Sequence, residues 1–257
     1  MDWAKAKTIL IIALIITNGF LIAVYGNFGV GGDGFTDHSA LSEFLAERNI
    51  YVDAEIIPQD HREMSILFVQ NLEIDHDQIN HVLRSIAFEP LPPGARADAD
   101  YVEAANLAIQ LLGLNEEAAV FKTIAENAVF CRIERDDDGR QTTVSYKNVI
   151  DGITLEKSHI TLLFEDGLPV HIESEWLEAV NFHNRKQQTI SAAQALLLFL
   201  AQIDDKKNIY IDRIEMIYWL DETIIDTQTA IASGTAFPTW KITYNGTEAV
   251  HILAYKH

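Results

Sequence analysis

His171, Glu173 and Glu175 stand at every second position of the run Pro169–Trp176. On a strand they share one face, and an imidazole with two carboxylates is a donor set that can hold zinc. The intervening Val170, Ile172 and Trp176 are apolar, so a strand with a wet outer face over a core produces the same pattern. Asp75-His76-Asp77 with His81 is a second set. Asp77 and His81 are four apart and share a helix face, whereas His76 points elsewhere. Asp75 as a helix N-cap accounts for this group without a metal. Gly29-Val30-Gly31-Gly32-Asp33-Gly34 fits the dinucleotide fingerprint letter for letter. That fingerprint works only between a strand and a helix, and here a flexible tether explains the glycines. Gly-x-Ser-x-Gly, Ser-x-x-Lys, His-Glu-x-x-His and a phosphate loop are all missing from the sequence. The expectation is therefore no catalytic residue, no metal and no cofactor.

Cys131 is the single cysteine of 257 residues, so no intrachain disulfide forms and stability must come from a core. It lies in the apolar run Ala128–Ile133, which predicts a buried, inert thiol. With 48% apolar residues and interspersed charge the chain should fold. Its net charge of −19 argues against nucleic acid as a partner.

The elements that would carry these residues are legible in outline. Asp37 or Ser39 caps a helix bearing Leu41, Phe44 and Leu45. Tyr51–Ile57 and Met64–Val69 read as strands, and Asp75 opens a helix with Ile79, Val82, Leu83 and Ile86 at helical spacing. Residues 36–88 thus form a small α/β subdomain. Pro90, Pro92, Pro93 and Gly94 mark 89–100 as a linker. In the α+β domain expected over 101–257, helices at Tyr101–Leu112 and Glu116–Asn127 precede strands at Val129–Arg135, Gln141–Lys147, Ile160–Phe164 and Pro169–Trp176. Asp137-Asp138-Gly139 and Asp166-Gly167 are hairpin turns. Ser191 caps an apolar helix, too short to cross a bilayer. Ile209–Trp219, Thr235–Tyr244 and Ala249–Tyr255 complete the strands, with Asn245-Gly246 as a tight turn.

The start of the chain has a different character. From Thr8 to Gly32 no residue is charged, and Ile9–Val24 is almost wholly apolar. About 20 such residues span a bilayer as a helix. Residues 1–7 are expected as a cytoplasmic tail, 8–26 as a transmembrane helix and 27–35 as a spacer. Lys5 and Lys7 hold the tail inside, and Trp3 and Tyr25 sit at the two interfaces. No small-x-small cleavage site follows the span, so the anchor is expected to be kept. Lys5 and Lys7 are two of the 19 basic residues and Asp2 one of the 38 acidic ones, which leaves the exterior at −20. Gly19-x-x-x-Ala23 and Ala13-x-x-x-Thr17 present small residues on two faces of the span, and Asn18 is its only amide. Small faces and a costly lone amide suit packing against a partner helix.

Met1-Asp2-Trp3, Lys5, Lys7 and the apolar run opening at Ile9 resemble the YycI family of membrane-anchored regulators of the WalK (YycG) sensor histidine kinase in Gram-positive bacteria. The helix Ile190-Ser191-Ala192-Ala193-Gln194-Ala195-Leu196 and the terminal Pro238-Thr239-Trp240-Lys241-Ile242 extend the resemblance, which covers the architecture throughout but the motifs only at the two ends. It implies a single-pass anchor and an extracellular α+β domain of helices packed on antiparallel sheets in PepSY-like style. It also implies non-catalytic control of cell-wall genes. The partners would be a WalK-like kinase reached through the anchor and a YycH-like sister protein reached through the exterior, as a homodimer or a heterodimer. The sequence does not fix the surface that meets the sister protein: the apolar strands near Trp219 and Trp240 read equally as that contact and as core. The alternatives are a PepSY-like exterior module that inhibits a protease or binds a wall ligand, and an exterior hydrolase whose site assembles only in the fold.

Overall fold

The computed structural model of the protein describes residues 38–59, 62–92, 97–136, 138, 140–203, 208–220 and 233–255. It is α+β. The helices are α1 (His38–Ala46), α2 (His76–Ser85), α3 (Asp98–Leu114), α4 (Val120–Asn127) and α5 (Ala192–Leu200). The strands are β1 (Ile50–Tyr51), β2 (Glu63–Met64), β3 (Leu67–Asn71), β4 (Ala128–Arg135), β5 (Gln141–Ile150), β6 (Ile153–Glu165), β7 (Leu168–Glu175), β8 (Leu177–Phe182), β9 (Gln187–Gln188), β10 (Ile209–Leu220), β11 (Ser233–Tyr244) and β12 (Glu248–Leu253). The chain gathers into two compact units. The larger draws on Glu63–Gln188 and Met216–Thr239. The smaller draws its described residues from the segment ending at Arg62, from Thr189–Glu215 and from Trp240 onward.

In the larger unit the strands run β4-β5-β6-β10-β11-β3-β8, with β7 beside β6 and β2 paired to β9. The meander β4 to β7 is antiparallel, but β10 joins β6 in parallel, Ile217 opposite Thr154. The sheet is therefore mixed, not antiparallel throughout as expected, because β10 arrives by a long crossover and not through a hairpin.

One face of the meander is apolar at period two: Val144 and Tyr146, Ile160, Leu162 and Phe164, then Ile172. Three helices cover it. Ile79, Val82 and Leu83 of α2, Tyr101, Ala105, Ala108, Ile109 and Leu112 of α3, and Phe121 and Ile124 of α4 recur at helical spacing and are buried there. Asp75 caps α2 by accepting from Gln78 N–H at 3.0 Å. At α3 the Asp100 carboxylate reaches back to Ala97 N–H, 2.9 Å. Gly113 is needed where α3 meets α4, since a Cβ there would lie 3.0 Å from the Lys122 backbone nitrogen. Asp166 and Gly167, at φ 49 and 83, form the expected primed turn into β7. A second such turn, Asp151-Gly152 at φ 51 and 78, starts β6 well before the expected Ile160.

Three buried polar side chains bond backbone groups of Ile172 and Leu177. Asn80, 5% exposed, donates through Nδ2 to Ile172 C=O at 3.1 Å and accepts at Oδ1 from Ile172 N–H at 2.8 Å. It so acts as a strand partner for the free edge of β7. At the bend into β8, Asn148 Nδ2 donates to Leu177 C=O (2.8 Å) and Ser158 Oγ accepts from Leu177 N–H (3.0 Å).

The smaller unit is built around Trp240, 2% exposed, whose Nε1–H donates to Ile190 C=O at 2.9 Å. Ser191 caps α5 in a reciprocal box with Gln194. Phe199 meets Tyr244 edge-on with ring centroids 5.4 Å apart, and Leu41 and Leu45 of α1 are fully buried. β1 runs parallel to β10, and β12 pairs with β11. The Asn245-Gly246 turn is held by three hydrogen bonds: Asn245 N–H donates to Tyr210 C=O at 2.9 Å, Asn245 Oδ1 accepts from Tyr210 N–H at 3.0 Å, and Gly246 N–H donates to Asp212 at 2.7 Å.

Some expectations change. Tyr51–Ile57 is a strand only at Tyr51. Asp53 then caps a 3-10 turn over Ala54–Ile56, accepting from Glu55 N–H. Met64–Val69 is two strands, because β2 pairs with β9 and β3 with β8 and β11. Cys131 is exposed. A bulge between Phe130 and Arg132 leaves it without a partner on β5, on a strand that ends the sheet. Of the two readings of Trp240, burial selects core.

Replacing Asn80 by leucine strands both Ile172 backbone groups without partners. We expect a loss of about 3 kcal/mol in denaturant unfolding, against about 1 kcal/mol for Asp75→Ala at the exposed cap. Equal losses would contradict the edge-closing role. Tyr146 and Tyr218 make a second test. Their hydroxyls donate to Val102 and Ser65 C=O. Burial pushes both up to about 12, the Asp151 carboxylate adding to it at Tyr218. The unfolded chain releases these protons near 10. Their contribution to stability is thus full below pH 10 and is lost as pH rises through about 12. Alkaline unfolding followed by tryptophan fluorescence should be less pH-dependent in Tyr146→Phe and Tyr218→Phe.

Candidate functional site

The anchor residues expected to carry function, Ala13, Thr17, Asn18, Gly19 and Ala23, and the interface residues Trp3, Lys5, Lys7 and Tyr25, lie outside the described residues. So do the glycine run 29–34 and Asp37. Among the described residues no helix is long and apolar enough to cross a membrane.

Within the larger unit, the two polar groups singled out in the sequence come together. The N-terminal end of α2 and the strands β6 and β7 line two adjoining clefts, of about 600 and 370 Å³. His76, Ser174 and Glu175 line both. The smaller adds His159, His171 and Glu173, and the larger adds Asn71, Glu73 and Asp75. His76 therefore belongs with the β7 set and not with His81.

Register explains the arrangement. After the Asp166-Gly167 turn, Glu165 pairs with Leu168 and Phe164 with Pro169. The pairing then slips by one, so that Leu163 faces His171, Thr161 faces Glu173 and His159 faces Glu175. Without the slip His171 would lie opposite the core residue Leu162. Proline offers no ladder donor, which makes Pro169 a natural place for the irregularity. His171, Glu173 and Glu175 do share the outer face, as the alternation predicts.

The chemistry available is limited. His171 Nε2 lies 3.4 Å from Glu173 Oε1, with the side chains 45% and 74% exposed, so the pair is screened and weak. Among the described residues no group of three or more His, Cys, Asp or Glu is placed to hold a metal ion. The alternation shares a face without converging on a point. The Ser174 hydroxyl is buried and has no hydrogen-bond partner. What remains is an open, imidazole- and carboxylate-bearing surface suited to polar contacts.

Sequence reasoning missed His159 and Ser174. The hairpin turn alone brings His159 close to them, but the one-residue slip that sets their facing is a tertiary effect. Compared with known proteins, the chain matches no family model and no curated sequence.

Purified protein should carry less than stoichiometric zinc, and chelator should leave its melting temperature unchanged, as should His171→Ala. Stoichiometric metal with destabilisation on chelation would show that the cleft closes around an ion.

Proposed function

We propose that the protein is a non-catalytic regulator of a two-component system controlling cell-wall metabolism. Residues 8–26 anchor it in the cell membrane as a single span, with the tail cytoplasmic and the α+β portion extracellular. The anchor packs against a WalK-like sensor histidine kinase, and the exterior binds a YycH-like sister protein. One observation carries this reading: the opening Met1-Asp2-Trp3, Lys5, Lys7 and the charge-free run from Thr8, with the YycI resemblance it bears. The α+β fold, with three helices laid on an antiparallel meander, is compatible with the PepSY-like style of that family. The acidic composition suits a domain held off anionic wall polymer.

Regulation of this kind requires the anchor to contact two kinase states differently, since equal affinity shifts no equilibrium. Asn18 and the Gly19-x-x-x-Ala23 face are the groups through which such a difference would act. A second reading, an exterior module that binds a wall ligand or inhibits a protease, draws on the polar clefts beside β7.

Exchanging residues 8–26 for an unrelated span of equal length separates the two. Loss of kinase co-purification and of reporter control at normal expression is the expected result, with Asn18→Leu and Gly19→Ile each weakening both. Full retention would move the function to the exterior.

A further inference from the structure

The strand that ends the larger sheet is β4. Open edges recruit other strands, and proteins blunt them with cover, charge or bulges. On the edge of β7, Asn80 takes up both backbone groups of Ile172. β4 has no such closure among the described residues: its recorded backbone pairing over Ala128–Glu134 is to β5 alone. It is eight residues long, and Val129 and Phe130 are 50% and 42% exposed. Its bulge at Cys131 divides it into two regularly paired stretches, Ala128–Phe130 and the longer segment Arg132–Arg135.

That segment is complementary to itself. Arg132 and Glu134 face Ser145 and Thr143 on the wet side of the sheet, and they lie 3.2 Å apart along the strand with Ile133 between them. In an antiparallel pairing about a two-fold axis at Ile133, Arg132 of each copy faces Glu134 of the other. The same axis keeps wet face with wet face, so one continuous sheet results. We propose that β4 is a self-association surface, pairing edge to edge with β4 of a second copy in the register that sets Ile133 opposite Ile133. In a chain of net charge −19 two copies repel in general, and at this edge Arg132 and Arg135 balance Glu134 and Asp98, so the copies meet there without like charges opposed. This inference stands apart from the regulatory reading and survives its failure.

The test uses the full chain, solubilised in detergent, in sedimentation velocity over a concentration series. A dimer is expected. Glu134→Arg and Arg132→Glu each place like charges opposite and should weaken it about tenfold, since two cross-strand pairs change sign. The double variant R132E/E134R should restore it. Under mild oxidation in a Cys131→Ser background, Ile133→Cys should crosslink copy to copy and Val129→Cys should not. A monomer at all concentrations overturns the proposal. So does a dimer indifferent to the charge reversals, or one in which Val129→Cys crosslinks as well as Ile133→Cys, because its contact lies elsewhere or in another register.

Discussion

The larger unit depends on closing the edge of β7 from within. A strand with one neighbour leaves backbone donors and acceptors that must find water or a partner. The amide of Asn80 supplies both functions to Ile172, and its Nδ2 also donates to His76 C=O at 2.8 Å. This ties α2 to the sheet by directional bonds as well as by Ile79, Val82 and Leu83. Burying an amide is costly unless it is satisfied. Here the satisfaction fixes the height of α2 along the strand, and hydrophobic contact alone would let the helix slide. Asn148 and Ser158 do the same at Leu177, where the chain leaves β7 for β8. Apolar packing makes the unit compact, and these few amide and hydroxyl groups select one registration.

Register slips carry as much of the structure as regular pairing does. One slip near Pro169 lets Ile172 face the core while His171, Glu173 and Glu175 face water. Another at Cys131 shifts the β4–β5 ladder by one residue, and a third lies between Lys147 and Asn148, at the residue that reaches Leu177. Each reverses the phase of inward and outward side chains. A sheet without them would bury imidazoles or expose isoleucine.

Local chemistry was readable and remote pairing was not. Asp75 and Ser191 as caps, and Asp166-Gly167 and Asn245-Gly246 as turns, follow from the residues alone, because a cap or a primed turn is decided within four positions. Residue pattern also locates the helices at 101–112 and 116–127, though a 3-10 turn over Glu116–Ala118 precedes α4. Cys131 is exposed despite its apolar run, because such a run signals burial only when both faces of the strand are covered, and β4 is an edge. The crossover that brings β10 parallel to β6 has no local signature at all. The cleft at β7 was half visible: alternation gave the shared face of His171, Glu173 and Glu175, while His76 and His159 reach it through tertiary contacts.

The same geometry ties the cleft to the stability of the sheet. His76 is the first residue of α2, it lines both clefts, and its carbonyl accepts from the amide that closes β7. Anything that draws His76 toward Glu175 or His171 therefore pulls on the turn of helix that positions Asn80. Because Asn80 holds both Ile172 N–H and C=O, a shift of α2 along its axis breaks two bonds together and not one. Packed units respond to such a demand by switching between discrete arrangements or by refusing to move. A surface of exposed, individually weak groups becomes consequential here through its attachment: contacts at the cleft bear on the pair of buried hydrogen bonds that ties α2 to Ile172.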